Sequence, residues 1–133
     1  MKYKIAKDVA AADFERMCET FRVDLDTSEL TEPERKELAS VRSEIERDLQ
    51  RGTLIVGADG RPTYTPPGST TAFTFNPPTG ATLIAVKSRD NEVEGMCLAL
   101  ADMTQTDRGT FSKLLAPDFY ACGRVVRLFL ADR

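Results

Sequence analysis

The residues of this 133-residue chain whose types could do chemistry are three cysteines, Cys18, Cys97 and Cys122, and pairs of carboxylates such as Asp24 with Asp26 and Glu44 with Glu46. Thiol or hydroxyl catalysis needs a positioned base, most often histidine. The chain contains no histidine, so neither a Ser-His-Asp nor a Cys-His arrangement nor a His-containing zinc site can be assembled. The cysteines show no CxxC spacing, and each falls on the apolar stripe of a predicted helix. They read as three reduced core thiols. Carboxylates working as acid and base need a cleft that separates their pKa values. Asp24 and Asp26 lie instead in a polar connector, and Glu44 and Glu46 on a charged helix. Gly57-Ala58-Asp59-Gly60 lacks the Lys-Ser/Thr that follows a phosphate loop. Arg124 and Arg127 could hold an anion, but arginines on one polar helix face read more simply as solvated. No catalytic, cofactor or metal residue is assigned, and the expectation is a protein that is not an enzyme and acts through its surfaces.

The elements that carry these residues follow from periodicity. The weak alternation of residues 2–6 suggests a short edge strand. Ala10, Phe14, Met17, Cys18 and Phe21 then recur at helical spacing, with Asp8 as the expected N-cap. Thr31 and Glu34 match a capping box, Pro33 suits a first turn, and Leu38, Val41, Ile45 and Leu49 line one face up to Gly52. That apolar stripe is narrow, so the helix is expected to project or to pack peripherally. Residues 53–75 predict a small antiparallel meander: Thr53 to Val56, a type I′ turn at Asp59-Gly60, a return through Thr63-Tyr64-Thr65 with Pro62 confining it to an edge or a short pairing, and Phe73 with Phe75 on one face. Asn76-Pro77 predicts the start of a helix containing Leu83, Ile84 and Val86. A further helix places Val93, Met96, Cys97, Leu100 and Met103 on one side, and a short turn surrounds Phe111 and Leu114. The last helix runs from Pro117 almost to Arg133. The expected fold is α+β and mainly α-helical, a single domain of about five helices with one small meander. An acidic helical front half spans residues 8–51 and a helical back half residues 77–131.

Composition bounds the function. With 41% hydrophobic and 29% charged residues the chain reads as globular. It has no apolar run long enough for a membrane and no signal peptide at its amino terminus, so a cytoplasmic protein is expected. Residues 13–48 hold twelve acidic and six basic side chains, while the remainder carries a net +3. This polarity could steer a partner or a second copy. Neither half has the clustered basic and aromatic residues of a nucleic-acid surface.

The last helix points outward most clearly. At about 100° per residue its apolar side chains cover roughly 200°. Phe119, Cys122, Val126, Phe129 and Leu130 form the centre, with Ala121, Val125 and Leu128 on a flank. Such an arc is either buried between two layers of its own domain or shared with another chain.

The segment Thr74-Phe75-Asn76-Pro77-Pro78-Thr79-Gly80-Ala81-Thr82-Leu83 resembles the strand, Pro-Thr-Gly and helix opening of the small tail assembly chaperones of long-tailed bacteriophages. The order downstream is similar: Leu98 to Thr104 in a helix, Phe111 to Leu114 in a short turn, and Ala116-Pro117-Asp118-Phe119-Tyr120 opening the apolar last helix. The resemblance covers about residues 70–131. It implies a helical, self-associating protein made during phage morphogenesis in the host cytoplasm and absent from the finished virion. There it would cover the tape measure protein until tail tube subunits take its place. The expected partners are therefore the tape measure protein or another tail protein, and further copies of the chain, with no nucleic acid and no membrane. The candidate partner-binding residues are Phe119, Val125, Val126, Leu128, Phe129 and Leu130. The alternative is a structural virion component, such as a head-tail connector or tail-completion subunit. A small enzyme using only carboxylates and arginines is the third reading.

Overall fold

The computed structural model describes residues 3–131. Helix α1 (Lys7–Thr20) turns Ala10, Phe14, Met17 and Cys18 into the core. Its N-cap is Ala6, which has no capping side chain, so Asp8 is not the cap. Asp8 lies in the first turn instead, where its charge still complements the helix dipole. The helix stops at Arg22, whose left-handed φ of 57° lets the Val23 amide donate back to the Cys18 carbonyl. The expected strand at residues 2–6 begins outside the described residues. Tyr3 to Ala6 form no strand, and the Lys4 amide donates to the Gln50 carbonyl instead.

Helix α2 (Glu32–Arg51) starts with the anticipated capping box: the Glu34 amide donates to Thr31 Oγ1 and the Thr31 amide to Glu34 Oε1. Gly52, with φ 83°, ends it. Its narrow stripe nonetheless docks fully. Leu38, Val41, Ile45 and Leu49 are all buried, and α2 lies against α1, the sheet and the last helix rather than projecting.

Strands β1 (Leu54–Val56), β2 (Pro62–Tyr64) and β3 (Phe73–Thr74) form an antiparallel sheet in that order, pairing Leu54 with Tyr64 and Tyr64 with Phe73. The first turn is not type I′. Gly60 has a left-handed φ of 84° while Asp59 does not. The Gly60 amide donates to the Gly57 carbonyl, the Gly57 amide donates to the Arg61 carbonyl, and Asp59 Oδ1 accepts from the Arg61 amide. This is the longer hairpin connection that needs one left-handed residue rather than two. Pro62 sits in the central strand, tolerated because it is the first residue of a three-residue pairing.

Asn76 does not start a helix. Its backbone and side-chain amides both donate to the Met103 carbonyl, and its Oδ1 accepts from Arg61. It therefore ties the end of the sheet to helix α4 (Glu92–Thr104), and helix α3 (Gly80–Lys87) begins only after Pro77, Pro78 and Thr79. Within α3 only Thr82 is buried. Its hydroxyl accepts from the Thr79 amide and donates to Asp102 of α4. Helices α3 and α4 meet closely at Gly95, and Asn91 caps α4 through the Val93 and Glu94 amides. Helix α5 (Arg108–Ser112) brings Phe111 to within 4.8 Å of Phe73, ring to ring.

Helix α6 (Ala116–Leu130) packs on both α2 and α4. Burial between two layers accounts for its wide apolar arc. The buried side chains form one contiguous core from α1 through the sheet to α6, within a mainly helical α+β fold that has six helices and one three-stranded sheet among the described residues.

Candidate functional site

The two faces of α6 do different work. Toward the core, Ala121, Cys122, Val125, Val126 and Leu128 are buried. Val125, Val126 and Leu128, three of the six expected partner contacts, are each only 1% exposed and belong to the core rather than to an accessible surface. Phe129 is half-buried, its ring stacked on Phe21 at 4.0 Å. Phe119 and Leu130 remain half-buried beside open space.

That space is a groove of about 1080 Å³. Its floor is the outward side of α6, with Tyr120, Gly123 and Arg127. One wall is α2 at Glu37 and Glu44, and the other is the end of α3 and the start of α4, with Val86, Val93 and Met96. Tyr120 and Val93 are each 61% exposed. Of the side expected from Val93, Met96, Cys97, Leu100 and Met103, Leu100 and Met103 are buried together with Gly95 and Ala99, whereas the first turn of α4 extends past the core and leaves Val93 exposed. Nearby on α3, Ile84 is 73% exposed and Leu83 45%. Helix α3 packs on α4 alone among its neighbours of substantial contact, which leaves its outer apolar face uncovered.

A second, polar site of about 770 Å³ lies where α2 ends, α6 begins and the Pro66-Pro67-Gly68-Ser69 loop passes. Asp48 is buried and takes a 3.0 Å bond from Arg124 Nη2, with Arg51 at 3.7 Å. Arg124 Nε stands 3.3 Å from Glu44 Oε2 without hydrogen-bond geometry. The Tyr64 hydroxyl donates to Asp118 Oδ1 at 2.7 Å, joining the sheet to the first turn of α6. Burial, reinforced by Asp118, pushes the Tyr64 phenol well above its ordinary range, so it stays a donor. Burial also pushes the Cys122 thiol up to about 12, with Asp118 and Asp48 adding to it. A thiol so shifted is not a nucleophile at neutral pH. Cys97 is also shifted upward by burial.

Arg124 and Glu44, which the sequence presents as solvated charges, are therefore partners across α6 and α2. Their separation of eighty residues hides the pairing from any local pattern. Among the described residues no group of three His, Cys, Asp or Glu side chains is placed to hold a metal, and no helix is long and apolar enough to cross a membrane. Chemically the polar site holds elements in register, while the groove leaves apolar side chains such as Val93 and Tyr120 open to solvent. No protein-family model matches the chain, and no curated protein or solved structure does either.

Proposed function

We propose that this chain is a non-catalytic binding protein of phage tail morphogenesis, a tail assembly chaperone that holds apolar segments of the tape measure protein in the host cytoplasm. The groove along α6, with exposed Tyr120 on its floor and exposed Val93 on its wall, carries this reading. A holding protein needs accessible apolar surface on a rigid support and an affinity low enough for release. The uncovered face of α3 adds to that surface, and α3 opens within the Pro-Thr-Gly segment that carries the family resemblance. The buried half of α6 supplies the rigid support.

The reading is tested by size exclusion with light scattering on the protein alone and coexpressed with a tape measure fragment. A complex that keeps the fragment soluble is the expected result. A protein that ignores the fragment, or that is found at fixed copy number in purified virions, contradicts the reading. The latter result would indicate a structural virion component.

A further inference from the structure

A glycine inside a helix gives up about 0.5–1 kcal/mol relative to alanine, so its presence calls for a reason. For Gly95 the reason lies in the fold: a Cβ there would stand 2.6 Å from the Val86 carbonyl oxygen. Gly123 has no such reason. It stands in the middle of the fifteen-residue α6 without a left-handed φ, and the atoms nearest to a Cβ there belong to the Met96 side chain, at an ordinary contact distance of 3.8 Å. The hollow it leaves opens into the groove.

The charges around this hollow narrow the occupant's class. Glu37, Asp90 and Glu92 stand against Lys87, Arg89 and Arg127, and none of the six makes an ion pair among the described residues. A polyanion or an anionic membrane would need a basic lining. Equal numbers of both signs complement a polypeptide that carries both signs itself. From Tyr120 to Ala131 the groove follows α6 for about 16 Å, or three helical turns. Side chains at the contact set how closely two helices approach, and a glycine there permits the closest approach.

We infer that the groove over Gly123 receives an amphipathic α-helix of a partner polypeptide, its apolar edge against Tyr120, Met96 and Val93 and its mixed charges against the rims. This rests on the binding-protein reading above and names the form its ligand takes.

Fluorescence anisotropy on the intact protein tests it, with a labelled helical peptide of about four turns carrying leucine at i, i+3, i+4 and i+7 and Glu and Lys elsewhere. The controls are the same composition scrambled and a single-stranded oligonucleotide. The patterned peptide is expected to bind at least about tenfold tighter than either control. Gly123→Leu should weaken it by about tenfold or more, and Gly123→Ala, which fits beside Met96, severalfold without lowering the unfolding temperature. Tyr120→Ala, at an exposed position, should do the same and covers the case in which the leucine disturbs folding. Equal binding of the scrambled peptide, preference for the oligonucleotide, or indifference to both variants overturns the proposal. So does a wild-type dimer that Gly123→Leu splits, because the groove would then belong to a second copy. The two readings fail separately. Patterned-peptide binding that Gly123→Leu abolishes, in a protein that ignores the tape measure fragment, sinks the phage reading alone. Undiminished capture of that fragment by Gly123→Leu sinks the groove alone.

Discussion

Gly95 and Gly123 are both buried and both lie inside helices, yet they serve different ends. At Gly95 two helices of this chain touch, and the missing side chain is filled by the Val86 carbonyl. At Gly123 the missing side chain faces space bounded by Met96 and the groove. The same residue type thus marks a place where a side chain has no room in one helix, and a place beside the Met96 side chain where one would fit in the other. Burial alone does not separate the two roles. The distance to the nearest backbone atom does.

The largest expected effect comes from testing the first half of that contrast. Gly95→Ala forces the Val86 backbone to move and should destabilise the protein by about 3 kcal/mol in urea unfolding, the upper end of an overpacking penalty. Amide exchange should show α3 losing protection first, because α3 is held mainly by α4. If Gly95→Ala were as harmless as an alanine at a free surface, the distinction between the two glycines would collapse.

Next in size is the buried polar face of α6. Asp48→Ala leaves Arg124 and Arg51 without their shared carboxylate. Both arginines keep some access to water, so a loss of about 2 kcal/mol is expected, below the range for a fully buried pair. Asp48→Leu combined with Arg124→Met should cost less than Asp48→Ala alone, because only Arg51, which keeps access to water, is then left without its carboxylate. A double variant worse than the single one would mean that the pair contributes more than its own satisfaction.

The same face predicts a pH response. The Cys122 thiol is raised from its ordinary 9.0 to about 12, first by burial and then by Asp118 and Asp48. Its folded pKa lies above its unfolded one, so the stabilisation is complete below pH about 9 and is lost as pH climbs toward about 12. Stability should fall there by about 1.4 kcal/mol per pH unit for this group. Tyr64, shifted in the same direction, should add to the decline above pH about 10. Cys122→Val should flatten the curve between pH about 9 and about 10, and an unchanged slope would show that Cys122 does not ionise on unfolding.

The local elements were largely readable from residues, and their long-range placement was not. The capping box of Thr31 with Glu34, the stripe from Leu38 to Leu49 and the stop at Gly52 are local signals, and all are present in α2. Asn76 misled because a capping side chain followed by proline is also a good way to leave a strand. Its partner, Met103, is twenty-seven residues away. The arc of α6 was legible as an arc. Which part is covered depends on α4 and on α2, whose Asp48 meets Arg124 across 76 residues, so half of the expected contact residues lie inside the core. The surroundings of Gly123, beside Met96 of α4, are set by the fold and have no local signal.

The smallest stability change bears most directly on the central claim, that the outward face of α6 is shaped for a ligand rather than for the fold. Gly123→Ala adds one methyl group at a site with room for it. Its unfolding temperature should rise by about 2–4 °C, from about 0.5–1 kcal/mol of helix propensity. In the same sample, affinity for the patterned helical peptide should fall severalfold, so that stability and binding move in opposite directions. A variant that gains stability and binds the peptide as tightly as before would show that the hollow at Gly123 serves no ligand, and the account of α6 as a docking face would be wrong.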